Sequence, residues 1–284
     1  MTTHNPASPP QRALPPVKWV GGKRKLWPYI LPFVPTSFGT YFEPFIGGGS
    51  VFFKLQQEVS SGRIDGKEDY VLSDINPKLI NTYTAIREDV DAVIRCLDTH
   101  PNEEKYYYEL RARNFSVGSD VERAAEFIHA NKTCFNGLYR ENGHGQFNVP
   151  YGKRPDAVTY DEENLRAVSA SLKGVPVFVH DFAWAVQSAV AGDFAYFDPP
   201  YAPVSATSFT QYTADGFAAR DQVRLRDCAL ELKERGVRIL ISNSSAPFIR
   251  NLYSTGFQVH EVDVARAINS NGSGRGAVKE LLIT

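Results

Sequence analysis

The chain has 284 residues, 43% hydrophobic and 22% charged, with 31 Lys and Arg against 32 Asp and Glu and a formal net charge of −1. That length and apolar share allow a full α/β core with a substantial insertion, and they exclude a disordered or fibrous chain. A charge near zero argues against a generic polyanion binder, whose affinity comes chiefly from Lys and Arg on phosphates, but it permits a local basic surface. Cys96, Cys134 and Cys228 are isolated, so neither a disulfide framework nor a zinc site is supported, and a reducing cytoplasm fits best. No apolar run approaches the ~20 residues of a membrane span. Residues 1–16 are rich in Pro and Thr, lack a signal-peptide core and read as a disordered tail.

The first ordered stretch, Val17 to Leu26, reads VKWVGGKRKL, with a Gly-Gly turn between Trp19 and Lys23. The glycines let backbone approach a ligand, the indole offers a flat wall and the lysine a point charge for a carboxylate or phosphate; a plain turn before a helix fits equally. Tyr41 to Phe53, YFEPFIGGGSVFF, reads as an aromatic strand, a glycine turn and a helix running to about Gln57. Strand, turn and helix N-terminus in that order suit a nucleotide-type ligand. The next strand, Tyr70 to Asp74, ends in an acid placed to accept ribose hydroxyls. The glycine turn departs from G-x-G-x-x-G and nothing marks a pyrophosphate site. The ligand expected is therefore an adenosine without phosphate, such as S-adenosylmethionine.

Four helices are expected at Lys78 to Ile86, Asp89 to Leu97, Glu103 to Asn114 and Val121 to Lys132. Phe135 to Arg154, FNGLYRENGHGQFNVPYGKR, differs in kind. It is a loop or hairpin whose Asn and Arg can hydrogen-bond base edges and whose rings can stack on unpaired bases, although an ordinary glycine-rich hairpin has a similar composition. A helix at Glu162 to Leu172, a strand at Val175 to Val179 and a crossing helix at Ala183 to Ala191 then lead to FAYFDPPY, Phe194 to Tyr201. There a buried strand stops at two prolines and delivers Asp198 to the sheet edge, where α/β sheets bind ligands. The carboxylate and two exposed prolyl carbonyls, from Pro199 and Pro200, can accept hydrogen bonds from one amino group while the Tyr201 face stacks on its ring.

Beyond that edge come a lid-length loop, Ala202 to Phe217, and a helix, Ala219 to Arg235. A strand at Val237 to Ser242 and a short helix at Pro247 to Tyr253 follow. Two β-runs, Gln258 to Ala265 and Val278 to Ile283, flank a Gly/Ser/Asn loop. Strands alternating with helices before a terminal hairpin describe a doubly wound α/β sheet with one reversed strand.

From Val17 to Thr284 the order of these segments resembles the alpha group, or D12 class, of Dam-type DNA adenine-N6 methyltransferases: K-W-x-G-G-K, F-x-G-G-G, the acid strand, an insertion, then D-P-P-Y. The resemblance implies a class I S-adenosylmethionine-dependent methyltransferase fold with a mostly parallel seven-stranded sheet. It implies a catalytic domain at 17–75 and 160–284 and a mainly helical target-recognition insertion with a hairpin at 76–159. The implied catalytic residues are Asp198, Pro199, Pro200 and Tyr201. Trp19, Lys23, Phe45, Gly47, Gly49, Asp74, Asp181, Phe182 and Asp198 would hold the donor, S-adenosylmethionine, without a metal. The run N-G-L-x-R…F-N-V-P is similar to that of GATC-specific members, so Lys18, Phe135, Asn136, Leu138, Arg140 and Pro150 are the implied contacts to double-stranded DNA. Phe135 stands where some relatives have tyrosine. Enzymes with longer sites share parts of this run. A monomeric, cytoplasmic protein encoded by a bacterium or phage, with no membrane contact, is expected. Methylation of cytosine N4 or of RNA adenine, and non-catalytic sequence-specific DNA binding, remain the alternatives.

Overall fold

A computed structural model describes residues 13–204, 217–265 and 277–284. The chain forms two compact units, one built on the sheet (residues 23–46, 54–75 and 175–284) and one largely helical (residues up to 22, 47–53 and 76–174).

The sheet has seven strands: β1 Ser37–Glu43, β2 Asp65–Asp74, β3 Val177–Val179, β4 Phe194–Phe197, β5 Arg238–Ser244, β6 Val259–Ala265 and β7 Ala277–Ile283. Their order is β3-β2-β1-β4-β5-β7-β6, and only β7 runs antiparallel to its neighbours. This is the expected doubly wound sheet with its reversed strand. Order reverses between β1 and β4, so the carboxyl ends of those strands form the switch point at which such sheets bind ligands. Every residue of β4 is buried, as a central strand covered on both faces requires.

Several bounds differ from the sequence reading. β1 and β2 begin earlier than their apolar residues suggest, because Ser37 and Phe38 pair with the polar residues Asp65 and Gly66 at their amino ends. The helix after β3, Phe182–Ala185, is one turn and not the nine-residue crossing helix expected. The chain leaves the helix at Val186, at φ −104° and ψ 5°, and Asp193, buried before β4, accepts from Val190 N–H at 2.9 Å and Thr40 N–H at 2.8 Å. The expected lid lies for the most part outside the described residues (205–216), as does the terminal Gly/Ser/Asn loop (266–276) and most of the expected tail (1–12). The rest of that tail is ordered. Asn164 takes Leu14 N–H at 2.8 Å and donates to its carbonyl at 3.0 Å, and Ala13 is buried.

The first two helices are α1 Trp27–Ile30 and α2 Ser50–Ser60; in the helical unit, α3 Pro77–Leu97 starts at an Asn76 cap that accepts from Lys78 and Leu79 N–H, with Pro77 in the first turn. Asp89, at φ −150° and ψ 77°, breaks it where two separate helices are expected. Then come α4 Glu104–Arg113, α5 Asp120–Thr133 and α6 Glu162–Leu172; α5 opens on a Ser119/Glu122 capping box, and α3 packs on α5 and α6. The hairpin after α5 is closed by bridges Cys134↔Tyr151 and Glu141↔Phe147. From α4, the buried Tyr107 hydroxyl and the Arg111 guanidinium both donate to the Val149 carbonyl, at 2.8 and 3.0 Å. Residues 17–22, 47–53 and 160–174, assigned to the sheet domain by sequence, pack within this unit. The physical ties are the side chain of Asn131 on the Lys18 backbone, the Trp19 ring on Gly47 and its Cβ on Gly48, and α6 on α3.

Candidate functional site

β4 runs straight into Asp198, and the two prolines after it end the ladder. The Asp198 carboxylate meets Lys23 Nζ at 2.8 Å and accepts from Ser242 Oγ, on the adjacent strand β5, at 2.9 Å. Ser242 also shares a hydrogen bond with the buried Tyr196 hydroxyl at 2.8 Å. Lys23 is 6% exposed and Asp198 20%, so the ion pair is largely buried and its solvent contact is mostly on the carboxylate. Burial pushes the Asp198 carboxyl above the usual carboxylate range, and Lys23 and Ser242 pull it back.

Tyr201 is fixed at both ends. Its hydroxyl donates to Glu280 of β7 at 2.7 Å, and Lys23 Nζ stands 4.7 Å over the ring centroid. Burial raises the phenol well above its ordinary value, so it stays neutral. The expectation of two exposed prolyl carbonyls is corrected for one of them: the Pro200 carbonyl accepts from Gln222 Nε2 at 2.9 Å, while Pro199 is a buried residue directly after Asp198. Gln222 is itself held by Asn243 at 3.0 Å. The arrangement leaves a partly open carboxylate beside a rigid aromatic ring, able to accept hydrogen bonds from a planar amine and to stabilise positive charge on it.

Other sequence-derived residues of the sheet unit lie at strand ends. Asp74, half-buried, ends β2, and Ile46 N–H donates to the neighbouring Ser73 carbonyl at 3.0 Å, tying the chain after β1 to that end. Phe45 stacks on Phe182, with centroids 5.6 Å apart and an interplanar angle of 27°. Phe182 is a core residue, 2% exposed, with the Arg224 guanidinium 4.4 Å from its centroid. Asp181 caps the short helix through Ala183 N–H at 3.0 Å and is ion-paired with Arg224.

The helical unit holds the remaining candidates. Gly47 and Gly49 have φ of +48° and +73°, and a Cβ on Gly47 would lie 2.7 Å from Trp19 Cδ1, so the turn needs glycine for both conformation and space. The Gly47 carbonyl accepts from the Tyr83 hydroxyl at 2.9 Å. Lys18 is exposed, its backbone N–H and carbonyl both bound by the Asn131 amide at 2.7 and 2.9 Å. Phe135, Asn136, Leu138, Arg140 and Pro150 are all exposed on the hairpin and its base. Asn136 is left-handed at φ 56°, Phe135 N–H donates to the Pro150 carbonyl at 2.8 Å, and Arg140 Nε donates to Asn148 at 2.7 Å, which orients the guanidinium. Phe135 and Leu138, 51% and 39% exposed, present apolar surface to solvent.

Sequence reading missed Ser242, Glu280 and Gln222. The strand ending at Asn243 was the one available signal for Ser242; Glu280 and Gln222 sit in ordinary strand and helix patterns and are recognised only through their partners.

Together the doubly wound sheet and the acid-proline-aromatic edge define a nucleic-acid amino-methyltransferase. The chain belongs to the D12 class N6 adenine-specific DNA methyltransferase family, whose pattern matches residues 19–268. It is 40% identical over 279 residues to a type II methyltransferase of Lactococcus lactis subsp. cremoris, covering 95% of this chain and 94% of that protein. It is 38% identical over 289 residues to a type II methyltransferase of Methanocaldococcus jannaschii, covering 95% and 98% of the two chains. With a DNA adenine methylase of Vibrio cholerae it shares 36% identity over 281 residues, covering 96% and 95%. Adenine-N6 methylation of DNA is accordingly its activity.

Proposed function

We propose that the chain transfers a methyl group from S-adenosylmethionine to N6 of an adenine extruded from duplex DNA, with GATC as the site. The observation that carries the reading is the Asp198 carboxylate at the end of β4, held by Lys23 and Ser242 and followed by Pro199, Pro200 and a ring fixed by Glu280.

The donor, when bound, supplies an electrophilic sulfonium methyl group. The residues present fit it: Phe45 can offer an apolar wall and Asp74, at the end of β2, can accept from two ribose hydroxyls, and the family resemblance adds Trp19 and the glycine turn at Gly47 and Gly49 as donor contacts. Lys23 can meet the methionine carboxylate, and Asp181 with Phe182 can border the adenine.

Adenine N6 is stacked and paired in a duplex, so the base leaves the helix at a cost of a few kcal/mol. Tyr201, its hydroxyl on Glu280, stacks the extruded base. Asp198 and the Pro199 carbonyl accept from the N6 amino group, which draws its lone pair out of conjugation and aims it. As the bond from N6 to the methyl carbon forms, the bond from that carbon to sulfur breaks and S-adenosylhomocysteine leaves; the carboxylate stabilises the positive charge on N6, which then loses a proton to solvent. Lys23 and Ser242 keep that carboxylate ionised and aligned although it is largely buried.

On the helical unit, Lys18 and Arg140 donate to guanines, Asn136 and Leu138 meet neighbouring base edges, and Phe135 with Pro150 contacts the base pair beside the extruded adenine. The test is incubation with S-adenosylmethionine and duplex DNA, followed by nucleoside analysis. N6-methyladenine from the wild type and none from Asp198→Ala supports the reading. N4-methylcytosine, or an active Asp198→Ala enzyme, contradicts it.

A further inference from the structure

The hairpin residue between the proposed base readers Leu138 and Arg140 is Tyr139, which is half-buried. It stacks on the Trp19 indole, with centroids 4.9 Å apart and an interplanar angle of 19°. The same indole lies against the glycine turn: a Cβ on Gly47 would fall 2.7 Å from Cδ1 and 3.0 Å from Nε1, and one on Gly48 would fall 3.1 Å from the Trp19 Cβ. Trp19 thus touches the glycine turn and the hairpin at once.

Tyr139 is braced from behind. Its ring packs on Phe127 of α5 at 5.4 Å and on Phe147 of the returning hairpin strand at 5.6 Å, and its hydroxyl donates to Glu141. Glu141 is in turn ion-paired with Lys78 of α3 at 2.6 Å. One residue before Trp19, Lys18 is held to α5 by Asn131. A Cβ on Gly137 would meet the Lys18 side chain at 2.1 Å, so the hairpin turn has room for that lysine only because it is glycine.

We propose that Tyr139 is a positioning residue for the methyl donor: through its stack on Trp19, engagement of target DNA by Leu138 and Arg140 sets the indole against the glycine turn and tightens donor binding. This rests on the reading of Trp19 as a donor-binding residue. Because coupling between two binding sites is reciprocal, bound donor tightens target DNA by the same factor. The stack is local and aromatic, so its loss changes donor affinity by about 2- to 10-fold, the range of an aromatic pair.

The experiment measures, by calorimetry, the affinity for S-adenosylhomocysteine, the demethylated donor, with no DNA, with a GATC duplex and with a scrambled duplex. The proteins are wild type, Tyr139→Phe, which keeps the stack and loses the Glu141 bond, and Tyr139→Leu, which loses both. The wild type and Tyr139→Phe are expected to bind alike and to tighten with the GATC duplex alone. Tyr139→Leu is expected to bind about 2- to 10-fold more weakly and to show the same affinity with either duplex. A Tyr139→Leu protein with wild-type affinity and wild-type tightening overturns the proposal while leaving the donor reading intact. Equal tightening of the wild type by both duplexes also overturns it, whether or not the Leu variant folds. A wild type that does not bind S-adenosylhomocysteine overturns the donor reading itself.

Discussion

Lys23→Met isolates the interaction around which the site is built. The lysine is almost wholly buried, and its ammonium is 2.8 Å from a carboxylate that is 20% exposed. Coulomb attraction at that separation is on the order of 6 kcal/mol at an effective dielectric near 20, most of it cancelled by desolvation of both charges. Removing one partner forfeits the attraction but keeps the desolvation of the other, which costs ~3–5 kcal/mol in buried pairs. Asp198 retains Ser242 and some solvent, so the low end, about 3 kcal/mol, is expected at about pH 8. Without Lys23 the carboxyl, already raised by burial, rises further. A folded pKa above the unfolded one contributes stability that is present below the unfolded pKa and lost as pH rises through the folded pKa. The variant's deficit is therefore largest in alkali and shrinks as acidification lets the raised carboxyl take a proton. Urea unfolding of wild type, Lys23→Met, Asp198→Asn and the double variant across a pH series measures this. The double variant should recover at least about 1.5 kcal/mol relative to the sum of the singles at the alkaline end of the series. Additive losses with no pH dependence would refute the account of Lys23 as the partner that keeps Asp198 charged.

Asp74→Ala should weaken S-adenosylmethionine binding by about 3 kcal/mol or more, two ribose hydrogen bonds to a charged acceptor at ~1.5–3 kcal/mol each; unchanged calorimetric affinity would remove Asp74 from the donor site. Arg140→Ala should relax discrimination at one guanine-containing base pair by ~1–3 kcal/mol, whereas Lys153, exposed beside Arg154 at the end of the hairpin, is expected to contact phosphate, so Lys153→Ala should weaken all sequences alike and flatten the salt dependence. Methylation of a site library separates the two patterns, and an Arg140→Ala enzyme with intact preference would make the hairpin a backbone clamp. His129 is fully buried in α5, neither ring nitrogen has a hydrogen-bond partner among the described residues, and burial with His100 nearby pulls it from 6.5 down to about 4. Above about pH 6.5 it is neutral in both states; below that only the unfolded chain is protonated, so stability should fall by about 3 kcal/mol on going to about pH 4. His129→Phe should lessen that slope in urea titrations, and an unchanged slope would place the acid sensitivity elsewhere.

Much of the frame was legible because its signals are local. FAYF followed by two prolines names a buried strand and its end, Asn76-Pro77 opens α3, and the break at Asp89 agrees with the two helices read there. The amino halves of β1 and β2 were not legible, since Ser37, Asp65 and Gly66 have poor strand propensity and extend only by pairing with each other. Nor was the shortening of the helix at Phe182, since the chain leaves it at Val186 although the apolar run continues. At the site, Asp198 and Tyr201 stood out as a motif, but the groups that hold them did not. Lys23, Ser242 and Glu280 reach them from distant parts of the chain, and Lys23, read as a donor contact, meets the Asp198 carboxylate. Trp19 likewise read as a ligand wall, and its stack on Tyr139 depends on the fold of the hairpin.

If the carboxylate edge after β4 methylates adenine N6 at a site read by the hairpin, position-resolved detection of methylated bases on a duplex library covering all four-base contexts, after incubation with labelled S-adenosylmethionine, shows it. Label is expected on N6 of the adenine in GATC, lost with Asp198→Ala and spread over one altered base pair with Arg140→Ala. Label on cytosine N4, or on adenines irrespective of context, would contradict it.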